Sequence, residues 1–274
     1  LQASIYFLEA VSQHLGNKIN VNFDAEGPSN ALIEEEYPII YKAGYLWSET
    51  FQASASWTQP VYKLARKIST LLERYGDRLS VNVVIGNRAY GIENPSFRKM
   101  DSVIRELCLQ MPSSNIKIGA EGMKNGMKAI DLAAEFDLVA YLLQTPYLYS
   151  LLEYCKERGV RAVVYTPCRV CSIDNSKEAI REVLRIIGTG YFERRGLKLS
   201  EVDKDEQEQE EEEKTLDQIN NFGIFGSLYD ALKRISDLTS KGVWKVVLSP
   251  MFSNMGDLKR QLELLSGKYS CKDG

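Results

Sequence analysis

One stretch of this 274-residue chain combines residue types suited to holding a phosphate: Gly119-Ala120-Glu121-Gly122, with Lys124 two positions on. Glycines between a strand and a helix let the backbone come close to a ligand. The N–H groups and dipole of the following helix then favour an anion. Lys124 adds positive charge, whereas the Glu121 carboxylate must point away from any phosphate. Glycine at a strand–helix turn also has a purely steric reading, so the motif is weak by itself.

In parallel α/β proteins ligands gather past the C-terminal ends of strands. That rule singles out further groups. Asp24 and Glu26 follow the run Lys18–Phe23, Ser48-Glu49-Thr50 closes Tyr45–Ser48, and Gly86-Asn87-Arg88 follows Ser80–Ile85. Thr166-Pro167-Cys168 follows Val160–Tyr165, and Ser249-Pro250 the run Val243–Leu248. The aromatics Trp47, Trp57, Tyr90, Tyr141 and Tyr147 lie near these ends and could wall a pocket for a flat cofactor, although most should be packing residues.

Two other chemistries are weighed and set aside. Cys168-Arg169-Val170-Cys171 is a C-x-x-C, which suits a redox dithiol or half of a zinc site. No second C-x-x-C is present and the one histidine, His14, is far off in sequence, so a plain pair of loop cysteines is expected. A Ser-His-Asp hydrolase needs a histidine near a strand end, and His14 does not supply one.

The elements that must position these groups alternate in type. Runs at Lys18–Phe23, Tyr45–Ser48, Ser80–Ile85, Asn115–Ala120, Leu138–Leu143, Val160–Thr166 and Val243–Leu248 read as strands. Stretches at Ser29–Lys42, Pro60–Tyr75, Pro95–Gln110, Asn125–Phe136, Leu148–Arg158, Ser176–Gly188, Ser227–Ser240 and Asp257–Leu265 carry apolar residues at helical spacing. Several strands are read as apolar at consecutive positions, as in a parallel sheet covered on both faces. Such alternation predicts βαβ units in an α/β domain, a TIM-like (β/α) barrel by length, with an open doubly wound sheet as the runner-up. Seven strands are counted where a barrel has about eight; Ile5–Leu8 is the candidate for the eighth.

A single domain over residues 1–274 is expected. It is interrupted at residues 201–214 by a run almost wholly charged or amide, read as a disordered or frayed-helical acidic surface insertion. The net charge of -3 argues against an electrostatically driven nucleic-acid binder. No apolar run reaches the ~20 residues of a membrane span. Residues 1–16 lack a basic leader and an A-x-A pattern. With five scattered cysteines, a cytoplasmic location is expected. The partner is expected to be a small-molecule substrate, with a homodimer as the assembly.

Three stretches carry a family resemblance. Residues 115–142, NIKIGAEGMKNGMKAIDLAAEFDLVAYL, resemble a segment of the luciferase-like superfamily in which a strand ends in Gly-Ala-x-Gly-Pro. A helix with Leu-Ala-Ala-Glu and then Ala-Asp-Gly follows there. Residues 222–248, FGIFGSLYDALKRISDLTSKGVWKVVL, resemble the family's closing turn, helix and last strand. In the third stretch, Tyr41 to Ile85, KAGYLWSET is similar to the family's Leu-Gly-Tyr-Asp-x-x-Trp-x-x-Glu-His run, and Gln59-Pro60 and Leu64-Ala65 resemble the Asp-Pro helix that follows it. The resemblance implies a TIM-like barrel and a flavin- or F420-dependent oxidoreductase. Its F420 or FMN ring would sit at the barrel mouth, with Gly119, Ala120, Gly122 and Lys124 near the phosphate. Gly86 and Asn87 would lie near the ring, and Glu49 would be a polar contact or proton donor. The chain departs from the pattern at Thr50 (for His), Met123 (for Pro) and Val139 (for Gly), and the span from Glu49 to Asn115 is short. These departures imply a barrel condensed by one strand–helix unit. They leave open a non-catalytic degenerate barrel acting as a binding or assembly protein, or a phosphate-ester barrel of another kind.

Overall fold

Helix and strand spacing is realised as an α/β chain in the computed structural model, which describes residues 22–25, 50–55, 79–85, 97–120, 122–171, 176–193, 197 and 208–265. The expected helices at 29–42 and 60–75 and the candidate strand at 5–8 lie outside the described residues. The chain divides into two compact units, residues 1–142 with 150–163, and residues 143–149 with 164–274.

The first unit contains β1 (Asn22–Ala25), β2 (Thr50–Ala55), β3 (Leu79–Ile85), α1 (Phe97–Gln110), β4 (Ile116–Ala120), α2 (Met123–Glu135) and most of β5 (Val139–Leu143) and α3 (Leu148–Glu157). Strands β1 to β5 pair in chain order, all parallel. Ala140 then donates to the Arg161 carbonyl at 2.8 Å, carrying the order on to the start of β6 (Ala162–Val170). Helix α1 buries Ile104 and Leu107, while the solvent side carries the Arg105–Asp101 pair at 2.8 Å, one turn apart. Helix α2 buries Gly126, Ala129, Ile130 and Ala133, an apolar stripe at helical spacing. It stops where Asp137 takes a φ of 52° and Leu138 donates back to the Ala133 carbonyl at 2.8 Å.

Register fixes which residues share a face, because paired residues of parallel strands point the same way. One face presents Phe51, Ala53 and Ala55, then Val81, Val83 and Ile85, then Ile116, Ile118 and Ala120. The other carries Ser54, Asn82, Lys117 and Val139 in a single row, with Asp24, Gln52 and Ser80 in the row before it. Strands β2 to β4 therefore alternate apolar and polar, whereas β5 is apolar at consecutive positions and buried from Val139 to Leu142, as expected of a sheet covered on both faces.

The second unit holds the rest of β6, α4 (Ser176–Ile187), the short α5 (Gly190–Glu193), α6 (Glu208–Ile219), β7 (Ile224–Gly226), α7 (Leu228–Ser240), β8 (Val243–Pro250) and α8 (Met255–Leu265). Gln144 donates to the Tyr165 carbonyl at 2.9 Å, continuing the β5–β6 pairing. Strand β6 pairs parallel with β7, and β8 pairs with β6 rather than with β7. Phe225 of β7 packs with Ala179, Ile180 and Val183 of α4 and with Leu216 and Ile219 of α6. Phe192 meets Phe222 and Phe225 edge-on, at centroid distances of 5.9 and 6.4 Å. Neighbouring Ile224 points the other way, into a cluster with Cys168, Val170, Ala231 of α7 and Leu264 of α8. Strand β7 is thus covered on both faces.

Three sequence expectations shift. A strand that sequence did not suggest runs from Thr50 to Ala55, and the expected strand at Tyr45–Ser48 lies outside the described residues. Strand β6 continues through Cys168 to Val170, which puts Cys168 in the core instead of a loop. Residues 208–214 of the acidic run form the first two turns of α6, anchored where Leu216 and Ile219 are buried and Lys177 meets Glu213 at 3.4 Å. Among the described residues no helix is long and apolar enough to cross a membrane.

Candidate functional site

The site of interest is the turn from β4 into α2. Ala120 ends the strand half-buried, and its Cα partner is Ile85, the last residue of β3. Gly86 and Asn87 follow Ile85 directly and lie outside the described residues, as does Glu121. Glu49 also lies outside them. It comes just before β2 in sequence, so the reading of it as a group past the end of the second strand does not apply to β2.

Two glycines shape the turn for different reasons. Gly119 is buried and lies against β5: a Cβ there would sit 2.3 Å from the Tyr141 carbonyl oxygen. Its first role is strand packing, as the steric reading allows. Gly122 is exposed, with φ 78° and ψ 159°, a region open to essentially no residue but glycine. Its Cβ would meet nothing within 4 Å, so backbone shape alone requires glycine at this position.

Gly122 is the N-cap of α2 and has no side chain to cap with. Its carbonyl accepts the first helical bond, from Gly126 N at 2.8 Å. The amides of Met123, Lys124 and Asn125 therefore stand outside the helix's own ladder. The first turn holds no acidic residue, and Lys124 is exposed on it. A cation at this end opposes the helix dipole, an arrangement that an anion would relieve.

The corresponding turn at β7–α7 is built in the opposite sense. Ser227 caps α7 by accepting from Asp230 N at 3.2 Å, and the Asp230 carboxylate accepts from Ser227 N at 3.0 Å and Ser227 Oγ at 2.9 Å. Its own carboxylate occupies the place an anion would take. Of these two glycine-containing turns, only β4–α2 offers free amides.

A second feature escaped sequence reasoning. Asn82 of β3 is 0% exposed, and both its Nδ2 and its Oδ1 lack a hydrogen-bond partner. Lys117, its neighbour in register on β4, is also buried. Both lie on the face that carries Gly119, with Asn82 three residues before the end of β3. The signal is the alternation in Leu79-Ser80-Val81-Asn82-Val83, within the run Ser80–Ile85 that reads as a strand.

The buried polar side chains described in the second unit have partners within it. Gln144 donates to the Gly223 carbonyl at 3.0 Å and accepts from the Thr166 hydroxyl. Tyr165 donates to Ser249 Oγ at 2.7 Å. Arg169 is held by Glu182 at 2.7 Å, Asp257 at 2.8 Å and the Met251 carbonyl at 2.8 Å. Burial alone would raise the Asp257 pKa, but the Arg169 guanidinium and the Ser253 amide hold it below the ordinary carboxylate value. Burial pushes the Cys168 thiol up to about 12. The Cys171 thiol is pushed to about 11 by burial and then by the Glu182 charge. Neither cysteine has the lowered pKa of a reactive dithiol. No group of metal-ligating side chains occurs among the described residues.

No family model and no curated protein matches the chain in sequence. Solved structures do match in fold. The crystal structure of apo-MsnO8 superposes with a TM-score of 0.62 at 13% identity, covering 97% of this chain and 92% of that one. The solved structures that it matches are luciferase-like (β/α) barrels, and the parallel α/β fold is shared with them. An F420-dependent secondary alcohol dehydrogenase, solved with an F420-acetone adduct, shares the luciferase-like fold at TM-score 0.62 and 12% identity, covering 95% of this chain and 92% of its own. Riboflavin lyase RcaE, solved with modified FMN and riboflavin, gives 0.57 at 11% identity, with 96% and 83% covered. The likeness in fold runs over nearly the whole length of this chain and most of each of those.

Proposed function

We propose that this protein is an F420- or FMN-dependent oxidoreductase acting on a small organic molecule, with the cofactor phosphate on the β4–α2 turn. The observation that carries the reading is Gly122. Its glycine-only backbone presents uncapped helix amides at the C-terminal end of a parallel strand, beside Lys124. Support comes from fold neighbours whose bound molecules are F420 and FMN derivatives.

The residues present fit such a group. The amides of Met123, Lys124 and Asn125 can donate to phosphate oxygens, and the dipole of a 13-residue helix stands behind them. Lys124 adds a mobile positive charge. Gly86 and Asn87, which follow Ile85 beside Ala120, would flank the ring. When bound, the ring supplies two-electron exchange as a hydride, or oxygen transfer where O2 is a co-substrate. The chain's part is to orient the ring and shield it from water.

Titration of purified protein with F420 and with FMN, followed by visible absorbance and fluorescence, tests this. Saturable uptake of at least one is expected, with riboflavin, which lacks the phosphate, binding more weakly than FMN. Protein that takes up neither F420 nor FMN would refute the proposal.

A further inference from the structure

Helix α7 leaves two large apolar side chains in water: Tyr229 is 71% exposed and Leu232 is 55% exposed. Its other side is already used, since Ala231 and Leu238 are buried and Leu228 and Ile235 pack on the cluster around Ile224. On the outer side Tyr229, Leu232, Ser236 and Thr239 are all exposed. Their spacing of three, four and three residues makes one continuous seam, the pattern by which a helix receives a second helix. We propose that this seam is a self-association face, on which α7 of a second copy of the chain packs antiparallel about a two-fold axis.

Side-chain size selects that occupant. The seam is bulky at its N-terminal end, with Tyr229 and Leu232, and small at its C-terminal end, with Ser236 and Thr239. A two-fold contact sets one surface against its own rotated image, so such a surface must be large where the image is small. Antiparallel pairing centred on position 234 meets that condition. Tyr229 falls opposite the partner subunit's Thr239, and Leu232 opposite the partner subunit's Ser236, each contact occurring twice. A parallel pairing would set tyrosine on tyrosine and leave the small end without filling.

The small end is also ready to lose its water. Thr239 Oγ1 donates to the Ser236 carbonyl at 2.9 Å, and beside it Ser240 Oγ donates to the Asp237 carbonyl at 2.7 Å. Hydroxyls that give their protons to their own helix lose little when a neighbour excludes water. Charge agrees with size. Asp237, which accepts from Tyr149 Oη at 2.6 Å, lies one turn from exposed Lys233 on the same flank of the seam. The antiparallel pair brings Lys233 of each copy alongside the partner subunit's Asp237. A purely acidic or purely basic partner would satisfy one of these charges and oppose the other.

Area is of the right order. Tyr229 and Tyr149, 71% and 38% exposed, leave roughly 160–270 Å² of aromatic surface in water per copy, at about 150–250 Å² per side chain. Over two copies that is about a third to a half of the ~1,000 Å² that a specific interface buries, before Leu232 and the polar flanks are counted.

Analytical ultracentrifugation of the full chain, from about 1 to 100 μM, tests the proposal. Wild type should pass from monomer to dimer in that range. Leu232→Asp should associate at least about 100-fold more weakly, because each variant dimer carries the loss twice. Register is read separately. A chain with Leu232→Cys, mixed under mild oxidant with a chain carrying Ser236→Cys, should give a disulfide-linked dimer joined at that pair. Mass spectrometry identifies the link, and either chain alone should form far less of it. This measurement stands even if Leu232→Asp fails to fold. A wild type that stays monomeric throughout overturns the proposal, and so does a dimer that Leu232→Asp leaves intact and that yields no 232–236 link. A monomer that sediments with anionic phospholipid vesicles would assign the face to a membrane and overturn it as well.

Discussion

Replacing Gly122 by alanine separates backbone shape from ligand chemistry at the proposed phosphate turn. At φ 78° and ψ 159° an alanine is strained, while its Cβ would have no neighbour within 4 Å. The whole penalty is therefore conformational, about 1–3 kcal/mol. At roughly 2–4 °C per kcal/mol for a chain of this size, the melting temperature should fall by about 2–12 °C. If the turn relaxes to escape the strain, the helix amides turn away from the phosphate. Each charge-assisted hydrogen bond lost is worth about 1.5–3 kcal/mol, so FMN affinity should drop by roughly 10- to 150-fold. Riboflavin, without the phosphate, should lose far less. Gly122→Asp adds a negative charge beside the amides and should depress FMN binding further at low salt, with partial recovery as salt screens it. Calorimetry and fluorescence titration read both effects. An alanine variant that melts with wild type would refute the left-handed turn. An aspartate variant that binds FMN as wild type does would refute the cradle.

Two further predictions concern the second unit. The lowered pKa of Asp257 means that its ion pair with Arg169 stabilises fully above the unfolded value of about 3.9, and that this contribution disappears as pH falls through the lower folded value. The melting-temperature gap between wild type and Asp257→Asn should be largest near neutrality and close below about pH 4. A gap as wide at pH 3 as at pH 7 would refute the linkage. Among the described cysteines, iodoacetamide at pH 8 should label exposed Cys108 first, while Cys155 and Cys168, buried and each pushed up to about 12, react only on unfolding. Mass spectrometry of labelled native protein decides this, and a Cys168–Cys171 disulfide formed without unfolding would contradict it.

Amphipathic period made the helices the most legible elements. The run from Pro95 became a helix from Phe97 to Gln110 because Ile104 and Leu107 had to be buried on one face. The Ala120–Gly122 turn was legible for a related reason, since a glycine between a strand and a helix has few readings. Strand β2 was missed because Thr-Phe-Gln-Ala-Ser-Ala has small residues on its apolar face and amide and hydroxyl groups on the other. In an isolated sequence that composition resembles a loop. Strand β7, three residues bounded by glycine and serine, is too short to show any period.

Asn82 was hidden by a different cause. In an ordinary open sheet, a polar residue alternating with valines faces water and needs no further account. Here the register puts Asn82 beside Lys117, and both are buried. The face that alternation alone would assign to solvent is closed to it. Whether such a face is interior depends on the partners its strands find, which are far apart in sequence, so neither composition nor period within β3 can reveal it. The consequence is directional. Apolar substitution at Asn82 should raise the melting temperature, whereas the same substitution on a solvent-facing strand position would change it little. A melting temperature unchanged by Asn82→Leu would refute the cost assigned to this buried, unpaired amide.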